Sequence, residues 1–183
     1  MVNLQVKMDS FFPILLLLSP FVLGDVLLYN NCNNTVYSWT YGPAGMLQSG
    51  SIPPHTLYSE SYYIYPWNGS GISIKLAAEN DVSSPLTQLE YSFQNDSIWY
   101  DLSNVNCGIT SQGGQASKGD CPFLNRGMYL TTNDSQCTSV SCPSGGCDCT
   151  EVYCLPSDNW AAKTCAFDYQ NLILYMCQGG QTC

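Results

Sequence analysis

Leu89-Glu90-Tyr91-Ser92-Phe93-Gln94-Asn95-Asp96-Ser97-Ile98-Trp99-Tyr100-Asp101-Leu102-Ser103 holds two alternating runs around one turn. In the first run Leu89, Tyr91 and Phe93 share a face, and Gln88, Glu90, Ser92 and Gln94 take the other. In the second, Ile98, Tyr100 and Leu102 oppose Trp99, Asp101 and Ser103. A period of two is the signature of a half-buried strand, and Gln94-Asn95-Asp96 is turn chemistry. Glu90 and Asp101 both leave the apolar side. As hairpin neighbours they would stand on one face.

The same pattern extends toward the N-terminus. Val26-Leu27-Leu28-Tyr29 is apolar, Thr35 to Tyr41 puts Tyr37, Trp39 and Tyr41 opposite Val36, Ser38 and Thr40, and Ile72, Ile74 and Leu76 share a face. Leu57 to Tyr65 is Tyr-rich and extended. Gly42-Pro43, Ile52-Pro53-Pro54, Asn68-Gly69 and Ser83-Ser84-Pro85 separate the runs. No long 3.6-residue apolar period appears, so an all-β antiparallel sandwich is expected. From Asn104 to Asn159, Gly, Ser, Asn and Cys dominate, and such a stretch is expected to bury little core and to depend on cross-links. Asn171 to Cys177 is a further strand candidate. These features predict one domain over residues 25–183, with a β core at 25–106 and 160–177 and a disulfide-rich loop lobe at 107–159.

Composition excludes several functions. The chain has 183 residues, five Lys or Arg against fourteen Asp or Glu, a net charge of -9 and one histidine, His55. Nucleic-acid binding lacks its electrostatic footprint. No phosphate-cradling glycine motif occurs, and no cofactor is expected. A single His in a Pro-Pro turn rules out an imidazole pair for a metal, and it reads as a surface residue rather than a base. Lys75, Lys118, Lys163 and Arg126 form no patch.

Phe11 to Leu23 is an apolar run of about thirteen residues that follows Lys7 and ends at Gly24, too short to span a bilayer comfortably. It predicts an export signal over residues 1–24, cleaved after Gly24, and a secreted protein of the extracellular space or cell wall with no membrane insertion. The alternative is a buried N-terminal helix. All eleven cysteines follow that cut, which favours a disulfide framework over a zinc site built from Cys142, Cys147, Cys149 and Cys154. Cys147 and Cys149, one residue apart, would strain a bond between them. Asn33, Asn68, Asn95 and Asn133 each begin an Asn-x-Ser/Thr sequon and are expected glycosylation sites.

Leu28-Tyr29-Asn30-Asn31-Cys32 followed by Thr35-Val36-Tyr37-Ser38-Trp39 resembles the opening strand pair of thaumatin-like proteins. Leu89 to Phe93 followed by Trp99-Tyr100-Asp101-Leu102-Ser103-Asn104-Val105 resembles their central pair, and Cys165 to Cys177 resembles their closing strand. The forms are nearest to small fungal secreted members, the yeast-phase-specific, antigenic thaumatin-like group. The resemblance covers residues 26–106 and 160–177. It implies a flattened β-sandwich, a bridge from Cys32 to Cys177, and Cys137 joined to Cys165. It leaves Cys107, Cys121, Cys142, Cys147, Cys149, Cys154 and Cys183 unassigned.

The resemblance also implies an acidic cleft of one Arg, one Glu and three Asp that takes β-glucan and in some members cleaves it. Glu90 matches the Glu and Asp101 matches the first Asp. The next Asp position falls near Asn106, and the Arg position falls near Lys75 or Leu76. A glycosidase needs two carboxyls about 5 to 9.5 Å apart with separated acidities. With no Arg and no evident apolar pocket, both carboxylates are expected to be ionised near neutral pH. Glu90, Asp101 and Lys75 are then a binding set for cell-wall polysaccharide or for an extracellular protein at a host interface, the latter an effector-like or antigenic role, with a monomer as the acting form. A weak endo-β-1,3-glucanase using Glu90 and Asp101 is the alternative, and ordinary solvent-facing carboxylates are the plainest one. Tyr58, Tyr62, Tyr63 and Tyr65 cannot all face one side of a strand, so some must be exposed or lie against the lobe.

Overall fold

The computed structural model describes residues 24–65, 70–107, 121–123, 125–144 and 150–178. The expected export segment before Gly24, the sequon at Asn68, and Cys147, Cys149 and Cys183 lie outside them. Eleven strands are present among the described residues: β1 Asp25–Asn30, β2 Val36–Gly42, β3 Gly45–Ile52, β4 Thr56–Ser61, β5 Ile72–Ala77, β6 Thr87–Gln94, β7 Ser97–Ser103, β8 Met128–Thr132, β9 Val140–Cys142, β10 Lys163–Ala166 and β11 Leu172–Met176. One sheet runs β4-β1-β11-β8-β9 and the other β10-β7-β6-β5-β2-β3. The pairings are antiparallel except that β1 lies parallel to β11 and Ser103 makes an isolated parallel bridge with Tyr153.

The core lies between the sheets and follows the alternation. Ile98, Tyr100 and Leu102 of β7 are buried, as are Ile72, Ile74 and Leu76 of β5, Leu28 of β1 and Leu174 of β11. Of the two faces of β2, the one without aromatic residues is buried. Val36, Ser38 and Thr40 point inward, and the aromatic edge of Tyr37, Trp39 and Tyr41 points out. The inward Thr40 hydroxyl donates to both Glu60 oxygens, each at 3.0 Å, and Glu60 is only 6% exposed. A buried carboxylate without donors would be costly, so β2 must turn a hydroxyl inward here.

The boundary drawn around residues 107–159 does not hold. β8 and β9 belong to the five-stranded sheet, and Met128, Leu130 and Val140 are in the core. Met128-Tyr129-Leu130-Thr131-Thr132 alternates, but five residues within a Gly-, Ser- and Cys-rich stretch carry little periodic signal. β3 also went unread. As an edge strand it buries only Ile52 fully and has no continuous apolar face.

Cys32 joins Cys177, Cys107 joins Cys121, and Cys137 joins Cys165, with Cα separations of 5.1, 4.9 and 5.3 Å. Cys142 and Cys154 are also disulfide-bonded. The Cys32–Cys177 bridge ties the end of β1 to the end of β11 across 145 residues. In the chain-entropy view it stabilises by on the order of 4 kcal/mol. Asn30 prepares the turn into Cys32. Its amide donates to the Ile52 and Asn34 carbonyls at 2.8 and 2.9 Å, and its oxygen accepts the Cys32 N–H at 2.9 Å. The Cys137–Cys165 bridge links the approach to β9 with β10, and so one sheet with the other.

Candidate functional site

Strand register builds the site directly. Asp101 on β7 stands opposite Glu90 on β6, Glu90 opposite Ser73 on β5, and Ser73 opposite Tyr41 on β2. These four outward residues form a row across the six-stranded sheet, with strands about 4.8 Å apart. A second row runs Ser103, Gln88, Lys75, Trp39. Trp99, two residues before Asp101 on the same face, is 41% exposed. The face opens into a cleft of about 780 Å3 whose lining includes Tyr41, Ser73, Gln88, Glu90, Trp99, Asp101 and Tyr153.

One wall comes from the cysteine-rich stretch. The Tyr153 N–H donates to the Leu102 carbonyl at 2.9 Å, and the Asn104 N–H donates to the Tyr153 carbonyl at 2.8 Å. The bridge at Ser103 therefore straps residues 150–159 onto β7 and brings Tyr153, Pro156 and Asn159 to the cleft. Asp158 shapes this wall by accepting the Cys154 and Leu155 N–H groups at 3.1 and 2.8 Å. Sequence reading missed all three wall residues. A parallel bridge between positions fifty residues apart leaves no local pattern.

The electrostatics overturn the expectation that both carboxylates ionise together. Burial, and then the charge of Glu90 beside it, pushes Asp101 up to about 7. Its Oδ1 is buried and accepts no hydrogen bond. Burial also raises Glu90, while a hydrogen bond from Ser73 and the charge of Lys75 hold it partly down. The Ser73 hydroxyl also lies 3.0 Å from Gln88 Oε1. Near neutral pH the pair therefore offers a carboxylic acid beside a carboxylate, a donor next to an acceptor. A pair with divided acidity suits sugar hydroxyls, which both donate and accept. It is also what a general acid requires.

Lys75 shares the outward face but does not line the cleft. Its Nζ sits 4.5 Å from the centre of the Tyr41 ring, so it reaches the site through Tyr41 and through its charge on Glu90. His55 lies in an exposed turn with its ring nitrogen 3.1 Å from Asn33 Oδ1, away from the carboxylates. Of the crowded tyrosines, Tyr62 is buried, and Tyr58, Tyr63 and Tyr65 pack partly buried against the core. No group of three or more His, Cys, Asp or Glu side chains able to hold a metal occurs among the described residues. Nor is any helix among them long and apolar enough to cross a membrane.

Comparison with known proteins places this geometry. A family model described as Blastomyces yeast-phase-specific protein matches residues 15–178. An antigenic thaumatin-like protein of Arthroderma benhamiae is 30% identical over 158 residues, covering 86% of this chain and 73% of that one. A secreted thaumatin-like protein, calA, of Emericella nidulans is 31% identical over 139 residues, covering 75% and 73%. Among solved structures, the protein elicitor MoHrip2 from Magnaporthe oryzae aligns with a TM-score of 0.61 at 19% identity over 84% of this chain and 98% of its own. The thaumatin-like xylanase inhibitor TLXI aligns with a TM-score of 0.53 at 16% identity over 83% and 98%. At such identities the two structures speak for the fold alone. The family model, the two relatives and the two-sheet sandwich agree, and the chain belongs to the Blastomyces yeast-phase-specific protein family, a small thaumatin-like branch.

Proposed function

We propose that this protein is secreted and acts as a monomer that binds polysaccharide of the β-glucan type through the Glu90–Asp101 cleft, without efficient turnover. The observation that carries the reading is the row Asp101, Glu90, Ser73, Tyr41 beside the exposed Trp99 ring. A sugar ring has polar edges and an apolar face. The row supplies donors and acceptors for the edges, and Trp99 supplies a surface for the face. Asp101 lines this cleft, and its buried Oδ1 is not spent on a hydrogen bond within the fold. The apolar run before Gly24 supports export, as does the word secreted in one relative's name.

The test is a pull-down on insoluble β-1,3-glucan with wild type and the Glu90→Gln, Asp101→Asn double variant, followed by a reducing-end assay on the same polymer. Retention of wild type and loss of the variant is the expected result. Failure of wild type to bind any β-glucan, with capture by an extracellular protein instead, would replace the glycan reading. A second reading, a weak endo-β-1,3-glucanase, is favoured by one observation, the divided acidity of the pair. Hydrolysis that vanishes in the double variant would promote it.

A further inference from the structure

At the tip of the β6–β7 hairpin, Asn95 and Asp96 take φ values of 50° and 56°. Two successive left-handed residues form the tight turn whose twist matches a hairpin. Asn95 is exposed, and its side-chain amide makes no hydrogen bond among the described residues. Beside it lies a second groove, of about 490 Å3, far along the sheet from the carboxylates. Ile64, Tyr65, Phe93 and Phe167 line it together with the four hairpin-tip residues. The Phe93 and Phe167 rings meet edge-on with centroids 4.6 Å apart, and the Phe167 N–H donates to the Asp96 carbonyl at 2.9 Å. The turn and the ring pair are thus fixed to each other. Ile64 is 45% exposed there. Ile64 and the edges of the ring pair leave a small apolar surface beside the turn.

The other described sequons differ. Asn133 Oδ1 accepts the Asn171 N–H at 2.7 Å, and Asn33 Oδ1 lies 3.1 Å from His55 Nε2 beside the bridged Cys32. Both carboxamides are engaged in the fold. Asn95 is not, and it stands on the edge of an aromatic groove.

We propose that Asn95 carries an N-linked glycan and that its first N-acetylglucosamine units lie in this groove. The attachment forms as Asn95 Nδ2 loses a proton and bonds the anomeric carbon of an oligosaccharide, displacing the pyrophosphate of its polyisoprenyl carrier. The apolar face of the first pyranose then rests on the Phe93–Phe167 pair, and its acetyl methyl lies toward Ile64. The hydroxyls remain in water. The glycan thereby covers the groove and braces the hairpin that carries Asp101.

The full chain, expressed in a eukaryotic secretory host, tests this. Glycopeptide mass analysis should find Asn95 occupied. Ser97→Ala abolishes the sequon at the cost of one long, exposed hydrogen bond from the Ser97 hydroxyl to the Asn95 carbonyl at 3.4 Å, and it should lower Tm by about 2–4 °C, the shift expected for one aromatic contact in a chain of this size. Enzymatic trimming to a single N-acetylglucosamine should retain most of the difference. Ile64→Ser should lower Tm in the glycosylated protein and leave it nearly unchanged in the Ser97→Ala background. An unmodified Asn95 peptide, a Tm indifferent to the sugar, or a glycosylated dimer in sedimentation with the groove buried between copies would each overturn the proposal.

Discussion

Glu60 and Asp101 are two carboxyls raised by burial, and they differ in what their oxygens touch. Glu60 lies between the sheets. Thr40 donates to both of its oxygens, and Tyr58 donates to Oε2 at 3.4 Å. Tyr58 is held in turn by the Gln48 amide, and Gln48 accepts from Tyr63 at 3.0 Å. The chain of bonds runs from Tyr63 through Gln48 and Tyr58 to Glu60, whose two oxygens are both met within the fold. Asp101 lies on the outer face, opens into a cleft, and leaves Oδ1 without a partner. A raised pKa alone would therefore rank the two together. What separates them is that both Glu60 oxygens are met inside the core, while Asp101 lines a cleft and has an oxygen the fold leaves unbonded.

The largest expected effect breaks the comparison at the cleft. The Glu90→Gln, Asp101→Asn double variant should weaken β-1,3-glucan binding by about 30-fold or more, since a charged hydrogen bond to Glu90 carries roughly 1.5–3 kcal/mol and a neutral one to Asp101 about 1 kcal/mol. Glu60→Gln should leave affinity within about twofold in the same titration. Next is stability against pH. Asp101 has its folded value raised above its unfolded one, so its contribution is fully present below about pH 4 and is lost as pH rises through about 7. Asp101→Asn should therefore be more stable than wild type at pH 8 by about 4 kcal/mol and equal to it at pH 3, as read from urea unfolding at both values. A loss of stability at pH 8 would mean that Asp101 is a structural partner like Glu60. Thr40→Val should destabilise by about 1–2 kcal/mol at pH 7 by stripping a donor from a buried carboxylate, with a smaller loss at pH 3. The smallest effect is at the rim. Trp99→Ala should weaken glucan binding about fivefold, roughly the worth of one exposed aromatic contact, while Tm moves by no more than about 1 °C.

The fold was legible where a strand buries one complete face. Ile98, Tyr100 and Leu102 announce β7, and the outward set Trp99, Asp101 and Ser103 follows from the same alternation. The cleft's two carboxylates were legible for that reason, and their direct pairing completes the hairpin. What escaped was non-local. The direction of β2 depends on Glu60, twenty residues away, which needs the Thr40 hydroxyl. The rise of Asp101 depends on burial, and the strap at Tyr153 that helps enclose it comes from a stretch with no periodicity. β8 was hidden by composition, although Met128 and Leu130 alternate as any core strand does.

The parallel pairing of β1 with β11, bonded from Val26↔Leu172 to Asn30↔Met176, bears on how the chain folds as it is made. β4 can pair with β1 early, but the opposite edge of β1 has no partner until β11 emerges. At ordinary rates of synthesis that wait is roughly ten to thirty seconds. Throughout it, Val26 and Leu28 belong to a half-built sheet with an open edge, the condition under which strands pair with the wrong neighbour. Cys32 waits over the same interval as an unmatched thiol able to form a premature bridge. Correct folding is thus a race between late strand arrival and early oxidation. Slower oxidant supply should favour the native pairing, even though the finished protein depends on the bond.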